Sequence, residues 1–417
     1  MKRSIQIAIL LGVSILYSPV FQAQDLEEYF SQAAENNPGL QAKYKMFEAA
    51  LEGVPQANSL SDPTLSFGYF LSPVETRVGP QRARFSLSQM FPWFGTLKLS
   101  GDVAALNAEA KYQAFLDAKN ALYYEVAAAY YPLFELQQWL KLEKENSEIL
   151  RIYKSIATSK FENGEGTLVD VLRVDLMLKD SETNEEILIE KQRPLLSRFN
   201  ILLNRDEFTE VALPDTIVKS ASLDAFQKDS IYVNHPLIDE LDYRVEASQA
   251  QANLVSKQGL PKIGVGLDYL LIDERNDLAP GFDLADNGKD AWMPMVSVSI
   301  PIYRGKIKAA KQEAEFRMES YSLQKEDLIN QLSSGYEMSF FKLSEQSELI
   351  DLYREQIAQT EQILTLLYSA YGNSGEDFEE LLRIQQRLLK YEKMIATALK
   401  EYHIALAKLN YLTAKNY

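Results

Sequence analysis

The side chains whose types and spacing could do chemistry follow two turns of one pattern. In Asn163-Gly164-Glu165-Gly166-Thr167-Leu168-Val169-Asp170 an acid stands three residues past the turn threonine. In Asn373-Ser374-Gly375-Glu376-Asp377-Phe378-Glu379-Glu380 acids crowd the same place. Carboxylates gathered round an axis would repel, raise one another's pKa and favour the passage of cations. On helices this acidic, a solvated face is the plainer role for Glu379-Glu380, and acids suit the first turn of a helix in any case. The two roles are compatible.

The rest of the inventory is thin. The chain has no Cys and two His, His235 and His403, which excludes thiolate sites and disulfides and argues against a His-built metal centre. There is no phosphate-cradling glycine loop, nucleophile elbow or zinc motif, so no enzyme is expected and no cofactor is implied. His235 precedes Pro236 and can cap a helix there, while His403 reads as ordinary surface or core. Met90, Met293 and Met295 fall on one side of alternating segments. Thioethers take soft Cu(I), but flexible filler is the plainer reading of these three.

What positions the acids is a duplication. Asn163 and Asn373 are 210 residues apart (373 − 163), and the match runs without a gap from Ser159/Ser369 to Val174/Ile384. Gly95/Gly305 and Asn200/Asn410 keep the same offset, whereas Asn37-Pro38/His235-Pro236 and Pro63/Pro261 differ by 198 (261 − 63). The offset grows between Pro63 and Pro92, 29 residues (92 − 63), against 40 (301 − 261) from Pro261 to Pro301. Length variation confined to one place marks a loop. The expected organisation is a signal peptide at 1–23, a first repeat at 24–205, a connector at 206–222 rich in Asp, Pro and Ser, and a second repeat at 223–417.

Of the 417 residues 46% are hydrophobic, and the net charge is −16. Acidity on this scale disfavours nucleic acid and anionic membrane surfaces as partners, since both select Lys and Arg clusters. Met1-Lys2-Arg3 followed by the apolar run Ile5–Val20 has the form of a secretory signal. No later stretch has the ~18 apolar residues of a membrane helix, so any crossing must be made by strands.

Four segments suit that role. Leu65, Phe67, Tyr69 and Leu71 alternate with polar or small residues, as do Ala83, Phe85, Leu87 and Phe91; Ile263, Val265, Leu267, Tyr269 and Leu271; and Val296, Val298 and Ile300. Strands with one apolar and one small or polar face fit a barrel with lipid outside and water inside. The loops between them are expected at Ser72–Gln81 and, longer, at Ile272–Ala291. The pattern from Gly95 to Lys160 predicts a helix of ~95 Å. Leu122, Val126, Ala129, Leu133, Leu136 and Leu140 make a coiled-coil seam along it, with a kink expected at Pro132. Gly305–Ala370 is the counterpart. Thr167–Asn204 and Asp377–Leu412 are shorter return helices.

The order helix, hairpin, long helix, tip turn, return helix, twice after a signal peptide, resembles the TolC-type outer-membrane efflux channel family. Phe91-Pro92-Trp93-Phe94-Gly95, Ile300-Pro301-Ile302-Tyr303-Arg304-Gly305 and the two tip turns carry the resemblance. It implies a mainly α protein with a membrane β-barrel: a homotrimer sharing one 12-stranded barrel and a long helical periplasmic tunnel, in the outer membrane of a Gram-negative cell. It implies a passive exit duct of a tripartite efflux pump or type I secretion system. The partners would be a periplasmic adaptor, an inner-membrane transporter of the resistance-nodulation-division type, and outer-membrane lipid, with no nucleic acid. By resemblance Tyr371 and Glu380 match the channel constriction, with Asp170, Glu376 and Asp377 beside it. Asn163, Gly164, Gly166, Thr167, Leu168, Asn373, Ser374, Gly375 and Phe378 would receive the adaptor. Glu376 stands where the family often has Arg, which favours an acidic ring over a salt link. The competing class is an exported coiled-coil structural or adaptor protein with a small β region.

Overall fold

Proline sets where the helix leading into each hairpin begins. Asn37 lies extended between α1 (Leu26–Asn36) and α2 (Pro38–Asn58), and its side chain accepts from the Leu40 N–H at 3.0 Å. His235 does the same for α5 (Pro236–Gln258), its Nδ1 accepting from the Leu237 N–H at 3.3 Å. Pro at the first helical position loses no bond, and the cap supplies an acceptor to a free N–H. This computed structural model describes residues 26–219, 228, 229, 231, 235–277, 279, 284–374 and 378–415, without the side chains of 370–374. The expected signal peptide and part of the connector lie outside the described residues.

The four strands β1 (Thr64–Thr76), β2 (Gly79–Phe91), β3 (Lys262–Ile272) and β4 (Ala291–Ser299) form one antiparallel sheet in the order β1-β2-β3-β4. The first hairpin is longer than its sequence suggests. The expected loop at Ser72–Gln81 is mostly strand, turning at Arg77-Val78 with Gly79 at φ 132°. Pro73 falls where the β1–β2 pairing shifts register, between Tyr69 and Val74. Pro80 lies just past the last β2–β3 pair, Gln81–Ile272. Both prolines therefore sit where a missing N–H breaks little of the ladder. The second hairpin has the longer loop, tied down where Asn287 accepts from the Arg275 N–H at 2.9 Å and Gly288 N–H donates to the Val78 carbonyl at 2.7 Å.

The long helices are α3 (Thr96–Glu162) and α6 (Gly305–Ser374), and the return helices are α4 (Leu168–Leu202) and α7 (Phe378–Leu412). α3 starts after Gly95, whose φ of 80° ends the strand passage, and it continues through Pro132. Its seam residues Leu122, Val126, Ala129, Leu133 and Leu136 are buried. At the sheet end α2, α3, α5 and α6 lie side by side; toward the tips the order is α4, α3, α7, α6. Each copy has its own core. Tyr29, Val126, Phe199 and their neighbours fill the first, and Leu343, Tyr402 and Leu409 the second. A third, of Leu150, Tyr153, Val174, Phe378, Leu381 and Leu382, joins the copies near the tips. The described part of the connector crosses the helices as a strap. Tyr29 hydroxyl accepts from the Ala212 N–H at 3.0 Å, Gln138 donates to the Asp215 carbonyl at 3.0 Å, and His403 meets the Val218 carbonyl at 3.2 Å. His403 also stacks on Tyr131, and burial pushes its pKa down to about 4.

Candidate functional site

The first tip turn is built by hydrogen bonds its residue types invite. Asn163, Gly164 and Glu165 donate back to the carbonyls of Ser159, Phe161 and Lys160, closing α3, with Gly164 at φ 77°. A Cβ at Gly166 would come within 3.1 Å of the Lys160 Cβ, so any larger residue there would have to displace that neighbour by a few tenths of an ångström. Thr167 caps α4 in a capping box: Asp170 N–H donates to its hydroxyl oxygen at 3.2 Å, and the Asp170 carboxylate accepts from Thr167 N–H and hydroxyl. Leu168 and Val169 project into solvent.

At the second tip Tyr371, Asn373 and Ser374 lie in the last turn of α6. Their side chains, and Gly375, Glu376 and Asp377, lie outside the described residues. Phe378, expected among the adaptor-contacting residues, is 6% exposed and packs edge-on against Tyr153. Its first-copy equivalent Leu168 stays exposed. Glu380 does not stand alone either. Arg383, one turn on, donates to it and holds its carboxyl below the ordinary carboxylate range, opposite to the rise that a bare acidic ring would cause. Glutamate followed three residues later by arginine on a helix was a readable signal for that pair.

Contacts between the copies were not readable. The Tyr153 and Tyr368 hydroxyls meet across α3 and α6, and Arg173 of α4 reaches Glu379 of α7 at 3.1 Å. Further from the tips Lys393 of α7 pairs with Glu143 of α3, whose side chain is 1% exposed; Ser181 of α4 donates to the same carboxylate at 2.8 Å, and Asn146 and Ser147 donate to Ser181 at 3.0 Å. One buried polar network thus fastens three helices, every member partnered.

The sheet presents the other site. Its register sets Leu65, Leu87, Leu267 and Pro294 in one row, Phe67, Phe85, Tyr269 and Trp292 in the next, and Phe91, Ile263 and Val298 in another. All these residues lie on one face, and Leu65, Phe67, Val296 and Trp292 are openly exposed on it. The opposite rows are Ser66-Ser86-Asp268-Met293, Ser88-Gly266-Met295 and Met90-Gly264-Ser297. Arg84 pairs there with the buried Asp268, linking the first hairpin to the second. The outer edges of β1 and β4 have no strand partner among the described residues.

The described residues thus form a duplicated pair of helical hairpins carrying an open four-stranded sheet, largely apolar on one face and mixed polar, small and Met on the other. No helix among the described residues is long and apolar enough to cross a membrane. The chain belongs to the outer membrane efflux protein family, whose model matches residues 29–193 and again 229–415, one match for each copy. It is 21% identical to outer membrane protein TolC of Vibrio cholerae over 425 residues, covering 98% of this chain and 94% of that protein. Its fold matches the outer-membrane channel OprN with a TM-score of 0.75 at 17% identity, over 94% of this chain and 90% of that one. The Campylobacter jejuni CmeC outer membrane channel matches with a TM-score of 0.74 at 14% identity, over 94% and 85%. The chain is therefore an outer-membrane efflux component, of a family of ducts rather than enzymes.

Proposed function

We propose that three copies of this chain close into one duct, 12 strands in the membrane and 12 helices around a periplasmic tunnel, whose tips form the entrance. The observation that carries this reading is the four-stranded sheet with an open face that is apolar except for Gln89 in the row Gln89-Val265-Val296, and with two edges that have no strand partner among the described residues. Open strand edges are not stable in lipid, whereas joining β4 of each copy to β1 of the next satisfies every backbone group. Exposed apolar residues along α6, among them Phe316, Leu323, Phe341 and Leu352, and along α4, among them Leu172, Leu176 and Ile187, would be covered by the same closure. The loop at 273–290 then faces the exterior. A periplasmic adaptor meets the tip turns through Asn163, Gly164, Thr167 and Leu168, and joins the duct to an inner-membrane transporter, of the resistance-nodulation-division type by resemblance.

Asp170, Glu376, Asp377 and Glu380 line the entrance with Tyr371, and the duct has no reaction of its own. Substitution in the sheet tests the assembly. Phe67→Arg places a charge on the lipid face at a cost of about 2–4 kcal/mol near mid-membrane and should abolish detergent-resistant trimers. Ser86→Arg, on the opposite face beside Asp268, should assemble and conduct in planar bilayers. Equal loss from both substitutions would refute the barrel.

A further inference from the structure

The chain's acidity argues against an anionic surface as partner, but its charge is not spread evenly. Fifty-nine Asp and Glu are present, yet none occurs from Thr76 to Gly101 or from Ala291 to Gln312. These are the two passages in which a strand gives way to a long helix, β2 to α3 and β4 to α6. Lys98 stands near the end of the first; Arg304, Lys306, Lys308 and Lys311 stand near the end of the second. Lys98, Arg304, Lys306 and Lys308 are exposed and make no ion pair with any described residue, and Lys311 reaches Glu315 only at 3.7 Å. Lys306 and Lys308 stand in the first turn of α6, where the helix dipole disfavours cations. Their placement therefore serves something outside the subunit's own stability.

The apolar residues beside them indicate what that is. Phe94 is 80% exposed, Ile302 71% and Tyr303 86%. In the chain they closely follow the last apolar row of the sheet, Phe91, Ile263 and Val298. Aromatic side chains that end an apolar band, followed by free cations, match the depth profile of a bilayer surface, with hydrocarbon first and phosphates next.

We propose that the two strand-to-helix passages form a collar that binds anionic phospholipid headgroups of the leaflet nearest the helices. The proposal rests on the sheet's apolar face meeting lipid, and goes beyond that reading by assigning a lipid charge class and the residues that select it. Arg304, Lys306, Lys308 and Lys98 neutralise the phosphates. Phe94, Ile302 and Tyr303 hold the passages at headgroup depth. Without the cations, a chain of net charge −16 would be repelled by the same surface.

The test uses the full-length protein in nanodiscs of phosphatidylcholine alone or with one third phosphatidylglycerol, and reads the retained phosphatidylglycerol by native mass spectrometry. Wild type should retain phosphatidylglycerol in preference to phosphatidylcholine, and this preference should fall severalfold between 0.05 and 0.5 M salt. Arg304→Gln/Lys306→Gln/Lys308→Gln should lose most of the preference while unfolding at the wild-type temperature in phosphatidylcholine alone. A salt-independent preference in wild type would overturn the collar, and this measurement does not require the variant to fold. So would a variant that keeps its preference, or one changed only in pore ion selectivity, which would put these cations on the lumen. Failure to enter either nanodisc would instead refute the membrane reading of the sheet.

Discussion

Arg173 of α4 holds Glu379 of α7, Nη1 to Oε2 at 3.1 Å, across the seam between the two copies. Its equivalent by the 210-residue offset, Arg383 (383 − 173), turns instead to Glu380 in its own helix. One arginine thus joins the hairpins while its duplicate pairs with Glu380 within α7. Arg173 and Glu379 are both substantially exposed, so Arg173→Ala should change stability by no more than about 1 kcal/mol. It should nevertheless raise single-channel conductance at low salt by loosening the tip, and the effect should fade as the screening length shrinks from ~30 Å at 0.01 M to ~3 Å at 1 M. Unchanged conductance at all salt concentrations would remove this pair from the closed entrance.

The acids predict selectivity. Glu380→Gln with Asp170→Asn should lower cation preference and divalent-ion block in planar bilayers. The amide oxygen introduced by Asp170→Asn can still accept from Thr167, so α4 should keep most of its cap and the trimer its stability. If preference and block were both unchanged, these carboxylates would be helix-start residues only.

Glu143 is buried, and Lys393 is the one cation paired with it among the described residues. Lys393→Met should destabilise by about 3–5 kcal/mol, because it leaves an uncompensated buried charge. Adding Glu143→Gln should recover most of that loss, since the amide oxygen can still accept from Ser181. Thermal unfolding of the two variants gives the comparison. Equal unfolding of single and double variants would show that the charge is solvated and the network unimportant.

Two acids set a pH dependence. Burial raises Asp117 to about 6, and burial with the nearby Glu145 and Glu361 raises Glu392 to about 7. Both fold with a proton that the unfolded chain releases at lower pH, so their contribution is greatest in acid and is lost as pH rises through those values. His235 and His403, each depressed to about 4 by burial, act oppositely: stability falls as pH drops from 6.5 toward 4. Asp117→Asn/Glu392→Gln should therefore raise the unfolding temperature at pH 8 relative to wild type and leave it nearly unchanged at pH 4. A gain of equal size at both pH values would contradict the assigned protonation.

The amino-acid sequence by itself determined what depends on neighbours along the chain. Alternation gave four strands and their faces, the seam from Leu122 to Leu136 gave a long helix, and Thr167 with Asp170 gave a capped turn, because these are properties of a few consecutive residues. Hairpin length escaped it, since Pro73 and Pro80 are breakers only where a neighbouring strand needs their N–H. The partners of the functional side chains were decided by tertiary structure. Tyr153 and Tyr368 are 215 residues apart and Glu143 and Lys393 are 250 apart, separations over which no spacing rule operates. Phe378 and Leu168 occupy the same place in two copies of one turn, yet only the phenylalanine is buried. Which of two equivalent positions is covered depends on how the hairpins lean together, and packing between distant segments fixes that.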